Sequence, residues 1–367
     1  MRRVLVLNAG SSSLKWVVLD AQSEVIQQQG TASWDGTEGG RHAAEVARAL
    51  GDVKQVDAVG HRVVHGGQRF QQSVLVDQAV RDGIQDLADL APLHNPAALA
   101  GIDAAQQRFG PDVPQVAAFD TAFHASLPEP AAIYPLAWQW IQQWGVRRFG
   151  FHGLSVQHAV SRATELLQSP PEKLVVCHLG AGCSATAVLD GRSVDTSMGF
   201  TPLEGLMMVR RSGSVDPGLM LYLLGRMSAD ELDRGLNEQA GLAGVSGVSA
   251  DLRAVQAAAD TGDRRSRLAI EMFVHRVVAT VGGLVAVLNG LDALVFTGGI
   301  GENSAAIRAE VASHLSFLGL RLDASANADT TSDAVVSAPD SRIQVLVITA
   351  REDLAVVREV RRVLGWT

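Results

Sequence analysis

Apolar and polar positions along the chain fall into two rounds with the same order. In the first, "VLVLNAGSSSLKWVVLDAQSEV" (Val4 to Val25) alternates apolar runs with a turn of small residues. Residues 3–8, 13–19 and about 24–31 therefore read as three antiparallel strands. In the second, "VVCHLGAGCSATAVLDGRSVDTSMG" (Val175 to Gly199) repeats the scheme: strand, tight turn at Gly180-Ala181-Gly182, strand, turn at Asp190-Gly191, strand. After the first meander come a helix at about 41–50 and a strand at 56–61 ending in "GHRVVHGG". Helices at 77–89 and 96–109 follow, then a strand at 113–119 that delivers "DTAFH". A helix near 154–168 opens the second round, and helices at about 216–226, 229–237, 249–259 and 264–289 follow its meander. "DALVFTGGIGENS" reads as strand, Gly-rich turn and a helix at 304–316; 343–349 is the last strand and 352–364 the closing helix. Such alternation implies sheets covered by helices. The longest apolar stretch, 277–288, is shorter than the roughly 18 residues of a membrane span and reads as a buried helix. Residues 328–341 are the loosest stretch, and no long linker separates the halves.

The repeat changes how the small-residue turns are read. One Gly-rich turn alone merely joins strands. Two such hairpin turns, with a third in "TGGIGEN" where a helix begins, offer successive backbone N–H groups to a phosphate chain without a lysine. Composition agrees. Lysines are three, Lys15, Lys54 and Lys173, among 31 basic residues, and none follows a G-x-x-x-x-G-K-[ST] pattern. A net charge of −8 argues against nucleic acid or an anionic membrane as the main partner. Apolar residues at 47% and charged residues at 19% over 367 residues are ordinary for a globular protein of two domains. The only cysteines, Cys177 and Cys183, lie on one expected hairpin without CxxC spacing, and no signal peptide is visible, so a reduced cytoplasm is the simplest setting.

Candidate chemistry gathers at loop tips. "GHRVVHGG" places Arg62, His61 and His65 at a strand end, and an arginine fork suits a carboxylate. "AFDTAFHASLP" places Asp120 at a strand end with His124 after it; Asp there serves a metal or phosphate, or caps a turn. "RRFGFHGLS" holds His152 between glycines, and Arg210 and Arg211 stand beside a flexible glycine. Each alone is more often structural than catalytic; their convergence on loop tips shifts the balance.

"NAGSSSLKW", "GHRVVHGG", "LAPLHNP", "FDTAFHASLP", "DTSMGFTPLEGLMM", "RSGSVDPG" and "FTGGIGENS" follow one another in the order of a known family. The chain, from about residue 3 to 354, resembles the acetate kinase family (acetate/propionate kinases) of the actin-like and sugar-kinase ATPase superfamily. The resemblance implies an α/β fold of duplicated actin-like, ribonuclease H-like domains, with mixed sheets flanked by helices and an interdomain cleft. Its domains would be 1–150, with a closing helix at about 351–367, and a nucleotide-binding 151–350. It further implies reversible, Mg²⁺-dependent phosphoryl transfer from ATP to acetate, giving acetyl phosphate and ADP, in a cytoplasmic homodimer. Mn²⁺ is the alternative ion.

By the same resemblance Asn8 and Glu352 match metal-linked positions, Lys15 lies near ATP, and Asp120, His152 and Arg211 are the catalytic set. Arg62 matches the acetate-binding arginine; Val64, Leu93, Phe151 and Pro202 match the pocket for the acetate methyl, and His124 a further active-site histidine. His178, Leu179, Gly180, Ala181 and Gly182 match the phosphate loop. Asp251, Leu252 and Arg253, with Gly299, Ile300, Gly301, Glu302 and Asn303, match the adenosine side. Asp120 suits metal and phosphate positioning better than acid/base work, because a carboxylate acceptor is already ionised at neutral pH.

Three departures stand out. The family's HLGNGSS reads "HLGAGCS", with Ala181 and Cys183 replacing Asn and Ser; its GTRSG reads "VRRSG", with Val209 and Arg210; and the chain is shorter than typical members. Arg210, if it points inward, would offset what Ala181 removes. Other readings are a propionate-preferring kinase, a degenerate nucleotide-binding scaffold, a sugar or polyol kinase, and a pyrophosphate donor. A polyol kinase needs a base for a neutral hydroxyl, whereas this chain offers arginines.

Overall fold

A computed structural model describes residues 2–10, 13–33, 46–92 and 94–366. The described chain forms two compact units. The first comprises residues 1–125, 152–158 and 351–367, and the second 126–151 and 159–350. Residues 126–150, expected with the first half, thus pack in the second. Ser126 Oγ donates to Ser193 O at 2.9 Å, and the Arg148 guanidinium donates to the carbonyls of Thr196, Ser197 and Met198.

Each unit has a six-stranded mixed sheet, and the two sheets match strand for strand. In the first, β1 (Arg3–Ala9), β2 (Ser13–Asp20) and β3 (Ile26–Ser33) form an antiparallel meander. β4 (Ala58–Val63) runs parallel to β1, β6 (Gln115–Phe119) parallel to β4, and the short β5 (Val74–Leu75) antiparallel to β6. The order is β3-β2-β1-β4-β6-β5. In the second, β7 (Lys173–Leu179), β8 (Cys183–Leu189) and β9 (Arg192–Thr196) repeat the meander. β10 (Ala293–Thr297), β11 (Ala334–Val335) and β12 (Gln344–Val347) repeat the rest, in the order β9-β8-β7-β10-β12-β11. Both meanders shift register at the same ladder step, between Val18 and Leu19 in one and between Ala187 and Val188 in the other. This is the duplicated actin-like α/β arrangement.

Period-2 alternation explains why the strands form where they do. Leu5, Leu7, Leu14 and Trp16 bury one face of the first sheet beneath the helix Asn95–Phe109. Val4, Val6, Val17 and Leu19 bury the other beneath the closing helix Glu352–Val363. That helix lies so close to β4 that a Cβ on Gly60 would stand 2.5 Å from Val356 Cγ1. Arg358 ties it to Glu24 by two hydrogen bonds of 2.7 and 2.8 Å. In the second unit the helix Arg264–Leu288 packs on β7 and β8 and buries Phe273, Val277, Val281, Leu284 and Leu288. Among the described residues it is the one helix long and apolar enough to cross a membrane.

The structure departs from the sequence reading in places. Of the helix expected at 41–50, residues 46–49 are helical and 41–45 lie outside the described residues. The short edge strands β5 and β11 and the helix Trp138–Trp144 were not expected. "GGIGEN" is itself a short helix, Gly298–Asn303, rather than an open turn. Arg308, fully buried, holds its end by donating to Gly301 O and Glu302 O at 2.9 and 2.7 Å. Those bonds outweigh glycine's weak helix propensity.

Candidate active site

In the first unit the strand ends bring four expected residues together. Asn8 on β1 and Arg62 on β4 are ladder partners. Asp120 follows β6 directly, its N–H donating to Val63 O at 2.9 Å, and Glu352 opens the closing helix. Arg62 is the hub. Its Nε donates to Asp120 Oδ1 at 3.2 Å and lies 3.1 Å from Glu352 Oε2. One Nη2–H meets Asp120 Oδ2, and one Nη1–H reaches Asn8 Oδ1 at 3.0 Å. A guanidinium has five N–H donors, so among the described residues two remain, one on each terminal nitrogen. That pair suits a further carboxylate.

Burial opposes charge on Arg62, but Asp120 and Glu352 outweigh it and hold the guanidinium above its ordinary range. Burial pushes the Asp120 carboxyl up to about 6; Glu352 adds to this and Arg62 opposes it. Two carboxylates thus share one cation. Asn8, Asp120 and Glu352 contribute oxygen donors only, the set that fits Mg²⁺, and a divalent ion there would keep several waters. Among the described residues no three His, Cys, Asp or Glu side chains converge as a metal centre.

His152 adopts a left-handed backbone, φ 59°. The adjacent Gly153 explains why: its N–H donates to Asp120 O at 2.9 Å, and a Cβ there would stand 2.1 Å from that oxygen. The "HG" pair is therefore locked to the Asp120 backbone. His124 is buried in the single turn Ala122–Ser126, edge-on to Phe123. His61 belongs to the sheet interior, bonded to Gln115 Oε1 at 2.6 Å; burial lowers its pKa to about 4, the Gln115 bond working the other way. His65 is also buried, and its backbone exchanges hydrogen bonds with the Asn95 amide. Lys15 stands exposed on β2, opposite Asn8. Val64 is buried in this unit, whereas Phe151 and Pro202 belong to the second. Leu93 lies outside the described residues.

The second unit gathers the glycine turns. His178 on β7 pairs in register with Thr297 on β10. The turn after β7 closes with Gly180 N–H to Gly182 O at 3.0 Å. Leu179 is fully buried, so it offers this turn only its backbone. A Cβ on Gly298 would stand 2.9 Å from Leu179 O, and one on Gly180 would stand 3.7 Å from Gly299 N. The two turns therefore adjoin, and glycine is what allows it. The departures meet here too. Ala181 is exposed and its carbonyl accepts from Val209 N–H at 3.4 Å; Cys183 Sγ donates to Gly180 O at 3.3 Å. Burial pushes both cysteine thiols up to about 12, which leaves them protonated at neutral pH.

Arg211 is half-buried. It donates to Pro202 O at 3.2 Å and Met208 Sδ at 3.8 Å, and among the described residues it bonds no carboxylate. Burial lowers its pKa. Arg210 is exposed. On the expected adenosine side, Asp251 caps the helix Leu252–Asp260 through Arg253 N–H and pairs with the exposed Arg253 side chain. Glu302 Oε1 accepts from Ala350 N–H at 2.9 Å, and Asn303 donates to Gly299 O at 2.8 Å. One turn beyond both segments, a cavity of about 520 Å³ is lined by Gln256, Val274, His275 and Ile307, among others. Sequence reasoning missed Tyr134, Arg148 and Glu204, which brace the segment carrying Pro202; Arg148 and Glu204 stand inside the motifs "RRFGFHG" and "FTPLEG", and no motif marks Tyr134.

Comparison with known proteins shows the family and the fold. The Acetokinase family profile matches residues 44–358. An acetate kinase of Cyanothece sp. is 43% identical over 398 residues, covering 97% of each chain. The structure of Porphyromonas gingivalis acetate kinase superposes with a TM-score of 0.91 at 34% identity, covering 99% of this chain and 100% of that one. A propionate kinase from Francisella tularensis gives 0.88 at 37% identity, covering 98% and 99%. With a family match over most of its length, the chain belongs to the acetokinase family.

Proposed function

We propose that the protein transfers a phosphoryl group reversibly between ATP and acetate, giving acetyl phosphate and ADP. The observation that carries this reading is Arg62: an arginine already braced by Asp120 and Asn8 that, among the described residues, keeps two N–H donors for one more carboxylate. Acetate is ionised at neutral pH and needs no general base; the barrier is an anion approaching a polyanion, so catalysis is charge neutralisation and positioning. Arg62 holds the acceptor. Arg211, a half-buried cation that bonds no carboxylate among the described residues, meets the charge on the phosphoryl group in direct in-line transfer, aided by His152. Backbone N–H groups of Ala181 and Gly182 receive the donor's phosphates, and the cavity beside Gln256 and Ile307 receives the nucleoside. Mg²⁺, when bound by Asn8, Asp120 and Glu352, partly through water, supplies further positive charge to the phosphates.

Val64, Leu93, Phe151 and Pro202 would set acceptor length. A methylene is worth only about 1–3 kcal/mol in such a pocket, and the likeness to a propionate kinase favours propionate as the second substrate. A homodimer fits the helix Pro217–Leu224, which buries none of its residues and leaves Leu219, Leu221, Tyr222 and Leu224 exposed. Sedimentation velocity checks it: a monomer at micromolar concentration overturns the dimer. Two unpaired buried cysteines suit a reduced cytoplasm, and the net charge of −8 speaks against nucleic acid or membrane partners. The deciding experiment traps acyl phosphate with hydroxylamine in the presence of ATP and Mg²⁺, comparing acetate, propionate and butyrate. Absence of product with every acid would leave the scaffold reading standing; a lead for propionate would reassign the acceptor.

A further inference from the structure

Residues 197–216 leave the end of β9 with no helix or strand, yet they carry both Pro202 and Arg211. A catalytic guanidinium on such a segment needs external bracing, and three residues supply it. Arg148 Nη1 gathers three successive carbonyls, Thr196 O, Ser197 O and Met198 O, at 3.0, 3.2 and 3.2 Å. Its Nη2 donates to Glu204 Oε1 at 2.9 Å. The other Glu204 oxygen accepts from the Tyr134 hydroxyl, which in turn accepts from Phe200 N–H at 2.8 Å. The Arg148 guanidinium also lies 5.4 Å from the centre of the Tyr134 ring. No side chain fits at Gly199, where a Cβ would stand 1.7 Å from Glu204 Oε2 and 2.0 Å from the Tyr134 hydroxyl.

The brace fixes both ends of the stretch 196–204. Pro202 lies inside it, and its carbonyl is the oxygen that receives Arg211 Nη1 at 3.2 Å. With no carboxylate bonded to Arg211 among the described residues, the direction of that carbonyl decides where the guanidinium points. The charges are also sorted. Glu204 neutralises Arg148, so Arg148 does not compete for phosphate, while Arg211 stays uncompensated.

We propose that Arg148, Tyr134 and Glu204 are positioning residues for Arg211 and thereby set kcat of phosphoryl transfer. This rests on the reading of Arg211 given above. The test is a double-mutant cycle on the full chain, with steady-state kinetics in acetate and ATP. Glu204→Gln keeps the shape and removes the charge. It lowers kcat at least tenfold with either KM moved less than threefold. In an Arg211→Lys background, where the guanidinium fork is already gone, the same change lowers kcat less than threefold. A role confined to folding the loop would give equal factors in both backgrounds, and that result overturns the proposal, as does an unchanged kcat in the single variant. If Arg211→Lys itself retains wild-type kcat, the reading of Arg211 fails instead. Should Glu204→Gln not fold, Tyr134→Phe, which keeps the ring against Arg148, repeats the cycle with the same two outcomes.

Discussion

At the end of β4 the first sheet holds Arg62 beside Asn8; at the matching end of β10 the second holds Thr297 beside His178. Following the ladders outward, Asp120 after β6 corresponds to Ala350 after β12, and the buried His61 to the buried Phe296. Strand order, direction and the register shift are the same in both sheets. What differs in kind is the residues at these strand ends. Apolar alternation fixes the frame and is indifferent to what stands at strand ends. One copy therefore collected desolvated charges that brace one another. The other collected glycine, whose missing side chain lets two backbones adjoin and present N–H groups.

The contrast can be broken in four places. The largest effect is expected at the hub. Arg62→Ala strands the buried Asp120 carboxylate and costs about 3–5 kcal/mol in denaturant unfolding, together with loss of acetate turnover. Thr297→Ala, at the equivalent position, removes a buried hydroxyl that has no partner among the described residues and costs under about 1 kcal/mol. Similar costs for the two would erase the asymmetry.

A second contrast is acid sensitivity. His61 has its pKa lowered from 6.5 to about 4, so the unfolded chain takes up the proton first as pH falls. The stability is present above about pH 6.5 and is lost between there and about pH 4, on the order of 3 kcal/mol. His61→Gln, neutral and able to donate to Gln115, flattens that part of the stability–pH curve. A curve of unchanged slope would move the acid sensitivity elsewhere.

Third, Gly153→Ala drives a Cβ onto Asp120 O and lowers stability by about 1–3 kcal/mol, whereas Gly299→Ala meets nothing within 4 Å and leaves the thermal midpoint in place. The smallest effect belongs to the second turn. Ala181→Asn restores a polar side chain at an exposed tip and lowers the ATP KM by less than about tenfold, near 1.4 kcal/mol. No change in that KM would show that the backbone alone serves the phosphates.

Both meanders were legible in the sequence because strands buried on two faces leave runs of Val and Leu between turn residues. The glycine turns were legible for the same reason. What the sequence concealed are contacts far apart along the chain. Arg62 and Asp120 are separated by 58 residues, and Arg148 and Glu204 by 56; nothing local marks such pairs. Asp251 illustrates the opposite case. The resemblance matches it to the adenosine side, and the structure shows it also capping the helix Leu252–Asp260, a local role its place before an amphipathic helix suits. "GGIGEN" reads in sequence as a Gly-rich turn at the start of a helix; the buried Arg308 that holds it as a helix lies beyond any local pattern. Likewise, the strand register that turns His61 inward became visible only with Gln115 beside it.

The position of the closing helix has a consequence for synthesis. β1 to β4 are made before the second unit, but one face of their sheet is covered by Val356, Val357 and Val360, made after it. At ribosomal rates of about 5–20 residues per second, residues 126–350 take roughly 10–50 s to appear. During that interval the first sheet is exposed along an apolar face, while the second unit, nearly continuous in the chain, has what it needs to fold. The half of the protein translated first is therefore the half completed last, and a chain stopped short of residue 351 would present its N-terminal sheet to chaperones rather than to substrate.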